Sequence, residues 1–216
     1  MEWSLSNLKR LGFNPRMAID VGAFEGEWTA MFKKIFPSCS VLMVEAQLNK
    51  ELQLKKITTQ LEGTSFHMGL LGAKAGEQVL FHVNSTVSSV LEEYKPNDFK
   101  IEPRSTETLD DVVANLKYTQ LPDFIKLDAQ GYELEILKGT SQILPHVQCI
   151  LCEVSLIEIN KGCPLIHEAI KFMHDRDFVA YDICSFIRRP LDRALWQTDL
   201  LFIRKSNPLI QSKNWN

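Results

Sequence analysis

The sequence predicts an α/β domain built on a doubly wound, mostly parallel seven-stranded sheet with a terminal antiparallel hairpin. Short apolar runs alternate with amphipathic helical patterns along most of the 216 residues. This alternation is typical of β-α units. The last two apolar runs, DFVAYDIC and TDLLFIR, have little between them, which favours an antiparallel pair at the sheet edge. No repeat or linker divides the chain, so we expect one domain over residues 1–216.

The first half of the chain contains two β-α units and a third strand. The run RMAIDVGAF is short and apolar, and GEWTAMFKKIF after it repeats apolar residues at i, i+3, i+4 and i+7, which indicates one buried helix face. SVLMVEA is the next strand, NKELQLKKITTQL the next helix and SFHMGLLG the third strand. In sheets of this kind ligands bind beyond the carboxyl ends of the strands, which directs attention to the turns there.

In the second half of the chain, one long polar stretch interrupts the alternation of predicted strands and helices. After the strand EQVLFHVN, residues 84–106 form a long polar stretch that we interpret as a loop. TLDDVVANL then begins a helix, because Thr108 and Asp111 match the threonine-x-x-acid capping pattern. DFIKLDAQGYELEILKG supplies a strand and a helix, VQCILCEVS a strand and CPLIHEAIKFMHDR an amphipathic helix. The terminal hairpin follows.

Composition argues against several classes of protein. The net charge is −3 and charged residues make up 24% of the chain, so overall charge does not favour nucleic acid or an anionic membrane as partner. No apolar run approaches the roughly 20 residues that cross a bilayer. The first residues also lack the basic-then-apolar order of a secretory signal. We therefore expect a cytoplasmic protein.

The cysteines and histidines do not predict a redox or metal site. Five cysteines are an odd number, which favours reduced thiols over a disulfide framework. Cys149 and Cys152 lie in a strand pattern, where positions i and i+3 face opposite sides of a sheet, so we interpret both as core residues. The five histidines show no tight ligand spacing, and we predict no metal site.

The turn after the first strand is rich in glycine but differs from a dinucleotide-binding turn. Gly22 and Gly26 open the helix in AIDVGAFEGEW, and Gly22 should allow a sharp turn with room for a ligand. Phe24 stands where the dinucleotide fingerprint requires its second glycine. Glu25 and Glu27 place negative charge where a pyrophosphate would lie. The turn therefore favours a ligand without phosphates, although a nicotinamide-dependent oxidoreductase stays an alternative.

An acid at the end of the second strand narrows the choice of ligand. Glu45 follows Gly26 by 19 residues, the position from which an acid accepts the hydroxyls of a ribose. A ligand that carries adenosine, a positive charge and no phosphate satisfies these observations together. S-adenosylmethionine has this chemistry. The alternative is a structural glycine turn with a solvated Glu45.

These motifs resemble the FkbM family of S-adenosylmethionine-dependent methyltransferases over roughly residues 17–204. IDVGAFEGEWT resembles the family's D-x-G-A-x-x-G-x-x-T, and IKLDAQGYELEILKG resembles its signature K-I/L-D-x-E/Q-G-x-E-x-x-x-L-x-G. VEA resembles the ribose-binding acid and STVSSVLE a serine-rich loop. The resemblance implies a Rossmann-like class I methyltransferase fold, O-methylation of a sugar or natural-product hydroxyl, and a cofactor site formed by Asp20, Gly22, Ala23, Phe24, Gly26, Thr29, Glu45, Ala46 and Asp128. Two positions depart from the pattern, since many members have asparagine in place of Phe24 and glutamate in place of Gln130.

Lys126 and Asp128 are the candidate catalytic residues. On a strand they share one face, about 6.6 Å apart, and burying them is unfavourable unless they are paired or used. We expect Asp128 to receive the acceptor's proton or to hold the cofactor's ammonium group. Lys126 would keep a carboxylate ionised or orient the acceptor oxygen, and Glu153, with Glu133, would complete the network. A structural ion pair without chemistry is the alternative.

The polar stretch after the strand EQVLFHVN is the candidate acceptor site. Asn84, Ser88 and Ser89 offer amide and hydroxyl groups suited to a carbohydrate or another small molecule, and we place Gln130 beside them as a substrate-binding residue. A solvated surface loop is the alternative for residues 84–93. The pair Arg188 and Arg189 could likewise grip an anionic substrate or form a solvated turn.

Two broader questions stay open at this point. The apolar edges of the terminal hairpin could pair two copies of the chain as a homodimer. The chain could also be a degenerate, non-catalytic module of the same fold that binds the cofactor or a partner protein.

Overall fold

The computed structural model describes residues 1–84, 87–94, 100–116 and 120–215. Within these ranges the chain forms eleven strands: β1 (Met17–Val21), β2 (Ser40–Glu45), β3 (Thr64–Met68), β4 (Leu70–Leu71), β5 (Gln78–Val83), β6 (Lys100–Glu107), β7 (Phe124–Leu127), β8 (Cys149–Ser155), β9 (Phe178–Ile183), β10 (Ile187–Arg188) and β11 (Leu195–Arg204). It also forms six α-helices: α1 (Glu2–Arg10), α2 (Glu27–Ile35), α3 (Glu51–Gln60), α4 (Leu109–Asn115), α5 (Glu133–Lys138) and α6 (Ile166–His174).

The main sheet is parallel at its centre and antiparallel at one side. Its order is β10-β11-β8-β7-β1-β2-β3, with β9 also pairing with β11. Strands β3, β2, β1, β7 and β8 run parallel, and β11 runs antiparallel to β8 and to β9. The predicted seven strands and the antiparallel terminal pair are confirmed, and the short β10 adds an eighth strand. The pair lies at the predicted edge, where β9 and β10 are the outermost strands and β11 joins them to β8.

A second sheet forms where the sequence indicated a loop. Strand β6 pairs with β5 in antiparallel register and with β4 in parallel register, so the assignment of residues 100–106 to a loop is wrong. Most of β6 is exposed or half-buried, and a strand without a buried face carries no apolar alternation to reveal it. Residues 85–86 and 95–99 of the same stretch lie outside the described residues.

The core lies on both faces of the main sheet, as a doubly wound arrangement requires. On one face α4, α5 and α6 pack over β1, β7 and β8 in a mainly aliphatic cluster. On the other face α1 and α2 pack through Leu5, Leu8 and Phe32. Cys149 and Cys152 belong to these opposite clusters, which confirms them as core residues on opposite faces. Helix α1 was not predicted from the sequence.

The helix caps follow the local chemistry of the chain. The Thr108 hydroxyl accepts from the Asp111 amide at 3.1 Å at the start of α4, which confirms the predicted cap. Gly26 is the N-cap of helix α2, and its φ of 80° is in the left-handed region. Among the residues described, no helix has the length and apolar character that crossing a membrane requires.

Candidate functional site

A cavity of about 250 Å³ opens beyond the carboxyl ends of β1, β2 and β7. Its wall includes the turn Gly22–Phe24 after β1, Glu45 at the end of β2 and Asp128 directly after β7. These three segments meet because β1 pairs in parallel with β2 on one side and with β7 on the other. The fold therefore assembles one site from parts of the chain that are more than 100 residues apart.

The glycines of the first turn serve the close approach of neighbouring segments. Gly22 has φ 71°, and a Cβ atom there would overlap the backbone carbonyl oxygen of Asp128. The expectation that Gly22 leaves room for a ligand is therefore corrected, since the Asp128 backbone fills that space. Gly26 has φ 80°, and a Cβ atom would lie 2.7 Å from Ile57 Cγ1 on α3. Both positions need glycine for the backbone conformation and for packing.

Glu45 joins the first turn to the end of β2. One carboxylate oxygen accepts the Phe24 amide N–H at 2.7 Å, and the other accepts the Gln47 amide N–H at 2.8 Å. Burial raises the pKa of Glu45, while these bonds and the nearby Lys126 oppose the rise. Each oxygen keeps a further lone pair, and the side chain lines the cavity. Glu45 can therefore hold the turn and still accept a hydroxyl from a ligand.

Phe24 lies in the cavity wall with a cation on its ring. Its φ is 50°, and Lys50 Nζ lies 3.7 Å from the ring centroid while pairing with Glu25 at 2.7 Å. Lys50 therefore offsets part of the negative charge that the sequence places at the start of α2. Glu25 and Glu27 also line the cavity, as does Ala46 beside Glu45.

Asp20 and Thr29 form a buried cluster with Lys126, which itself lines the cavity. Asp20 is fully buried; one of its carboxylate oxygens accepts the Thr29 hydroxyl at 2.7 Å, and the other lies 3.2 Å from Lys126 Nζ. Burial raises the pKa of Asp20 against the opposing effect of Lys126. Burial alone would lower the pKa of Lys126, but Asp20 and Asp128 outweigh it and raise that pKa. Asp20, Thr29 and Gly26 do not line the cavity. These predicted cofactor-binding residues therefore stabilise the segments that form its wall.

Asp128 differs from Asp20 in facing the cavity. Its side chain is 36% exposed and lines the cavity. One oxygen lies 3.5 Å from Lys126 Nζ, and the other accepts from Gln130 Nε2 at 3.0 Å. Lys126 also donates to the carbonyl oxygens of Val21 and Gly22 at 3.3 and 3.0 Å. The lysine in the core strand thus binds β1 to β7 and steadies an accessible carboxylate.

Gln130 connects Asp128 to a second, more deeply buried acid. Its Nε2 donates to Asp128 and, at 3.1 Å, to Glu153, which also accepts from Gln197 Nε2 at 2.9 Å. Burial, and then the charge of Asp128, raise the pKa of Glu153 well above its usual value. Glu153 does not line the cavity, whereas Gln130 does. The structure therefore places Glu153 behind Gln130, as a support for it.

Glu133 has a different position from the one expected. Its carboxylate accepts the amide N–H groups of Ala129 and Gly131 at 2.8 and 3.1 Å. These bonds hold the turn between β7 and α5, and burial raises the pKa of Glu133 to about 7. Glu133 therefore stabilises the turn that carries Gln130 and forms no hydrogen bond to Asp128 or Lys126 among the bonds described for it.

The predicted acceptor segment lies over the same turn. Ser89 donates its hydroxyl to the Gln130 carbonyl oxygen at 2.9 Å, and Asn160 Nδ2 donates to the same oxygen at 2.7 Å. Ser88 accepts from the Asn84 amide at 2.8 Å. Ser88 and Ser89 line the cavity, and Asn84 does not. The segment 87–94 thus covers one side of the cavity and is held there by the turn after β7.

An apolar part of the wall was not identified from the sequence. Leu70, Leu71, Phe81 and Tyr132 face the cavity, because the chain leaves the main sheet at Gly69 and β4 joins the second sheet. The sequence predicts one strand over SFHMGLLG, and Gly69 in its middle is the signal that marks the break. The described residues contain no cluster of three or more histidine, cysteine or acidic side chains able to hold a metal ion.

Comparisons with known proteins agree with this geometry. The methyltransferase FkbM domain matches residues 20–180. The fold resembles a precorrin-6y C5,15-methyltransferase from Geobacter metallireducens, at 9% identity and a TM-score of 0.51 over 93% of this chain and 86% of the other. It also resembles a candidate O-methyltransferase from Klebsiella pneumoniae, at 13% identity and a TM-score of 0.53 over 95% and 80% of the two chains.

A third structural relative is longer than this chain. An O-methyltransferase family protein from Burkholderia thailandensis shares 12% identity and a TM-score of 0.51 over 96% of this chain and 56% of its own. No curated protein matches the sequence. Structural relatives this distant show the Rossmann-like class I methyltransferase fold, and the domain match covers most of the chain. The protein belongs to the FkbM methyltransferase family.

Proposed function

We propose that this methyltransferase transfers a methyl group from S-adenosylmethionine to a hydroxyl group of a carbohydrate or natural product. The charge distribution of the cavity is the observation that carries the proposal. Glu45, Asp128, Glu25 and Glu27 bring carboxylates to its wall, while the ammonium of Lys126 lies between Asp20 and Asp128. An electronegative cavity of this kind favours a cationic ligand.

The cavity suits an adenosyl sulfonium compound better than a dinucleotide. A pyrophosphate needs free amide N–H groups or cations, but the Phe24 amide is bonded to Glu45 and Lys50 is paired with Glu25. The ring of Phe24 also lies where a dinucleotide would need close approach to the backbone. S-adenosylmethionine carries positive charge on its sulfonium and ammonium groups and has no phosphate, so the residues present fit it.

Individual residues have distinct parts in holding the donor. Glu45 would accept the ribose hydroxyls through the lone pairs that the two amide bonds leave. The apolar wall of Leu70, Leu71 and Phe81 would contact the adenine ring. The bound donor supplies an electrophilic methyl group. Asp20, Gly26 and Thr29 act indirectly, because they shape the turn and keep Lys126 in place.

Asp128 is the residue that we assign to the acceptor's proton. An alcohol is a poor nucleophile at neutral pH, and a carboxylate within hydrogen-bonding distance can accept its proton as the new bond forms. Lys126 and Gln130 each hold one oxygen of Asp128, so the carboxylate keeps its orientation. Most of the rate increase comes from alignment of the reacting groups and exclusion of water, which the segment 87–94 supports by covering the cavity.

The acceptor's chemistry follows from the polar side of the cavity. Ser88, Ser89 and Gln130 line it and offer hydroxyl and amide groups at the edge where Asp128 is exposed. Such groups match the hydroxyls of a sugar. The hydroxyl of Ser89 already donates to the Gln130 carbonyl oxygen and accepts from the Leu91 amide, so Ser89 positions the segment and would contact the acceptor through its remaining lone pair.

Titration calorimetry tests the donor site directly. We expect heat on adding S-adenosylhomocysteine or S-adenosylmethionine, and none on adding NAD. Glu45→Gln should weaken the affinity for both adenosyl compounds about tenfold, because an amide supplies only one acceptor oxygen for the ribose and two amide groups. The exposed Glu62→Gln is the matched control and should bind as the wild type does. Absence of binding by a folded protein would refute the donor assignment.

Transfer of labelled methyl groups tests the reaction itself. The protein and methyl-labelled donor are incubated with glycan and metabolite fractions, and the labelled product is analysed by mass spectrometry. Label in an alkali-stable methyl ether is the expected result. Donor binding without transfer to any fraction would instead favour the non-catalytic module.

A further inference from the structure

The segment 183–195, which we call the arginine hairpin, exposes apolar side chains in an unusual concentration. Leu191 is 83% exposed, Phe186 63%, Ile183 50% and Ile187 39%. The hairpin contains the end of β9, strand β10 and the turn into β11. Contiguous exposed apolar side chains on a folded domain commonly mark an interaction surface.

The turn of this hairpin is well ordered by internal bonds. Arg189 donates to both carboxylate oxygens of Asp192 at 2.8 and 2.6 Å, and the Ala194 amide donates to Asp192 at 3.0 Å. The Arg189 amide donates to the Ala194 carbonyl at 3.0 Å. Leu191 is therefore held outward at the tip of a closed turn, although no contact in the described structure shields it from water.

Positive charge surrounds the exposed apolar residues. Three arginines and one aspartate give the turn a net charge of +2, while the whole chain carries −3. Asp192 is paired with Arg189, and Arg188 and Arg193 form no ion pair among the described residues. Two other acids contact residues of the hairpin: half-buried Asp182, bonded to the Ile183 amide, and buried Asp199, bonded to Ser185. The outer surface of the hairpin is thus basic.

The hairpin stands at the same edge of the sheet as the cavity. Gln197 on β11 pairs with Ser155 at the carboxyl end of β8, and β8 runs parallel to β7, which Asp128 follows. The hairpin residues directly before Leu195 therefore extend beyond the carboxyl ends of β7 and β8, where Asp128 is exposed. A surface bound by the hairpin would face the side from which an acceptor enters.

From the exposed apolar tip, its flanking arginines and its position, we infer that the arginine hairpin docks this protein on an anionic lipid surface. Leu191 and Phe186 enter the apolar boundary of the bilayer, and Arg188 and Arg193 contact lipid phosphates. Net charge alone predicted no such partner, because the sum over the chain hides a local excess of arginine.

A second copy of the chain is a less favourable occupant. An interface about a two-fold axis uses the same patch of both copies, and residues close to the axis meet their own counterparts. At this hairpin it would place Arg188 and Arg193 close to identical cations, which repel one another. The predicted homodimer through the terminal hairpin is therefore an outcome that the experiment must separate from lipid binding.

Vesicle sedimentation with the full chain tests the inference. The probes are vesicles of phosphatidylcholine alone and of phosphatidylcholine mixed with phosphatidylglycerol, at low and high salt. We expect sedimentation only with the anionic vesicles, weakened by salt because screening reduces attraction between exposed charges. Leu191→Glu and the double variant Arg188→Glu/Arg193→Glu should each weaken binding about tenfold or more.

Helix α3 offers matched controls. Leu52 is 72% exposed and Lys56 is exposed. Both lie on α3, which packs beside β3, the outermost strand on the opposite side of the sheet from β10. Leu52→Glu and Lys56→Glu should bind vesicles as the wild type does. Circular dichroism checks the folding of every variant. If a hairpin variant fails to fold, the dependence of wild-type binding on lipid charge and salt still decides the question.

Three results would overturn the inference. The first is that sedimentation does not depend on the anionic lipid, and the second is that the hairpin and α3 variants lose binding equally. The third is a dimer that forms without vesicles and that Leu191→Glu abolishes, which would assign the surface to a second copy. Calorimetry with S-adenosylhomocysteine on the same variants separates this inference from the proposed function. The hairpin variants should keep full donor affinity whether or not vesicles bind.

Discussion

Asp20 and Asp128 share the ammonium group of Lys126, yet their surroundings differ. Asp20 is fully buried; one oxygen accepts the Thr29 hydroxyl and the other forms an ion pair with Lys126. Asp128 is held by Lys126 and Gln130, but more than a third of its side chain is exposed at the cavity. A carboxylate enclosed by protein groups can stabilise the fold, whereas one that is supported and still faces the cavity can also act on a ligand. This difference in exposure is the reason that we assign a structural role to Asp20 and propose a functional one for Asp128.

Glu133 and Glu45 differ in the same respect, because only Glu45 faces the cavity. Glu133 is buried and bonded to two amide groups of the turn it stabilises. Glu45 is bonded in a similar way but lines the cavity. Four substitutions test whether the carboxylates enclosed by protein groups, and the backbone around them, govern stability while Asp128 governs activity.

The largest effect is expected at the contact between the first turn and the Asp128 backbone. Gly22→Ala places a methyl group on the Asp128 carbonyl oxygen and should prevent folding or lower the free energy of unfolding by more than about 4 kcal/mol. Gly76→Ala is the control, because Gly76 has a similar φ of 79° with no atom within 4 Å of the added group. It should cost only about 1–2 kcal/mol. Equal losses in urea unfolding would show that backbone conformation alone matters.

Removal of the shared lysine should have the next largest effect. Lys126→Met leaves Asp20 buried without its cation, and breaking a buried pair in this way typically costs about 3–5 kcal/mol. In an Asp20→Asn background the same change should cost clearly less, since no buried charge is left unpaired. Urea unfolding of the four proteins of this double-mutant cycle measures the coupling. Additive losses would contradict a structural pairing of Asp20 with Lys126.

Glu133 should make stability depend on pH. Its pKa is raised from 4.5 to about 7 by burial, so the folded state binds the proton more tightly than the unfolded chain. The free energy of unfolding should therefore fall as pH rises from about 4.5 to 7, by on the order of 2–3 kcal/mol. Glu133→Gln should remove this fall. Glu135→Gln, two residues further along α5, is the control and should keep it.

The smallest effect on stability is expected at Asp128. Asp128→Asn removes a partly exposed charge, so the free energy of unfolding should change by less than about 1 kcal/mol. Turnover should be lost, because the amide cannot accept the acceptor's proton. Unchanged affinity for S-adenosylhomocysteine would assign Asp128 to the proton, and reduced affinity would assign it to the donor's ammonium group. An active variant with an unchanged rate would refute both roles.

Several features of the fold were accessible from sequence for local reasons. Helix α2 shows its buried face in the spacing of Trp28, Phe32 and Ile35, and α4 shows its start in the Thr108 cap. Strand β6 was not accessible, because its residues face solvent and the second sheet holds it through backbone pairing with β5. Helix α1 was likewise missed, although its Leu5 and Leu8 pack in the core.

The sequence by itself determined the central strands, the glycine turn, the positions of Glu45 and Asp128, and the family they resemble. These depend on residue spacing over a few turns or strands, which a single segment displays. Tertiary structure alone decided that Asp20 pairs with Lys126, that Glu153 lies behind Gln130 and that Leu70 and Phe81 form the cavity wall. Asp20 and Lys126 are 106 positions apart and become neighbours only through the register of β1 with β7. Such contacts arise from strand pairing across the whole chain, and no local pattern specifies them.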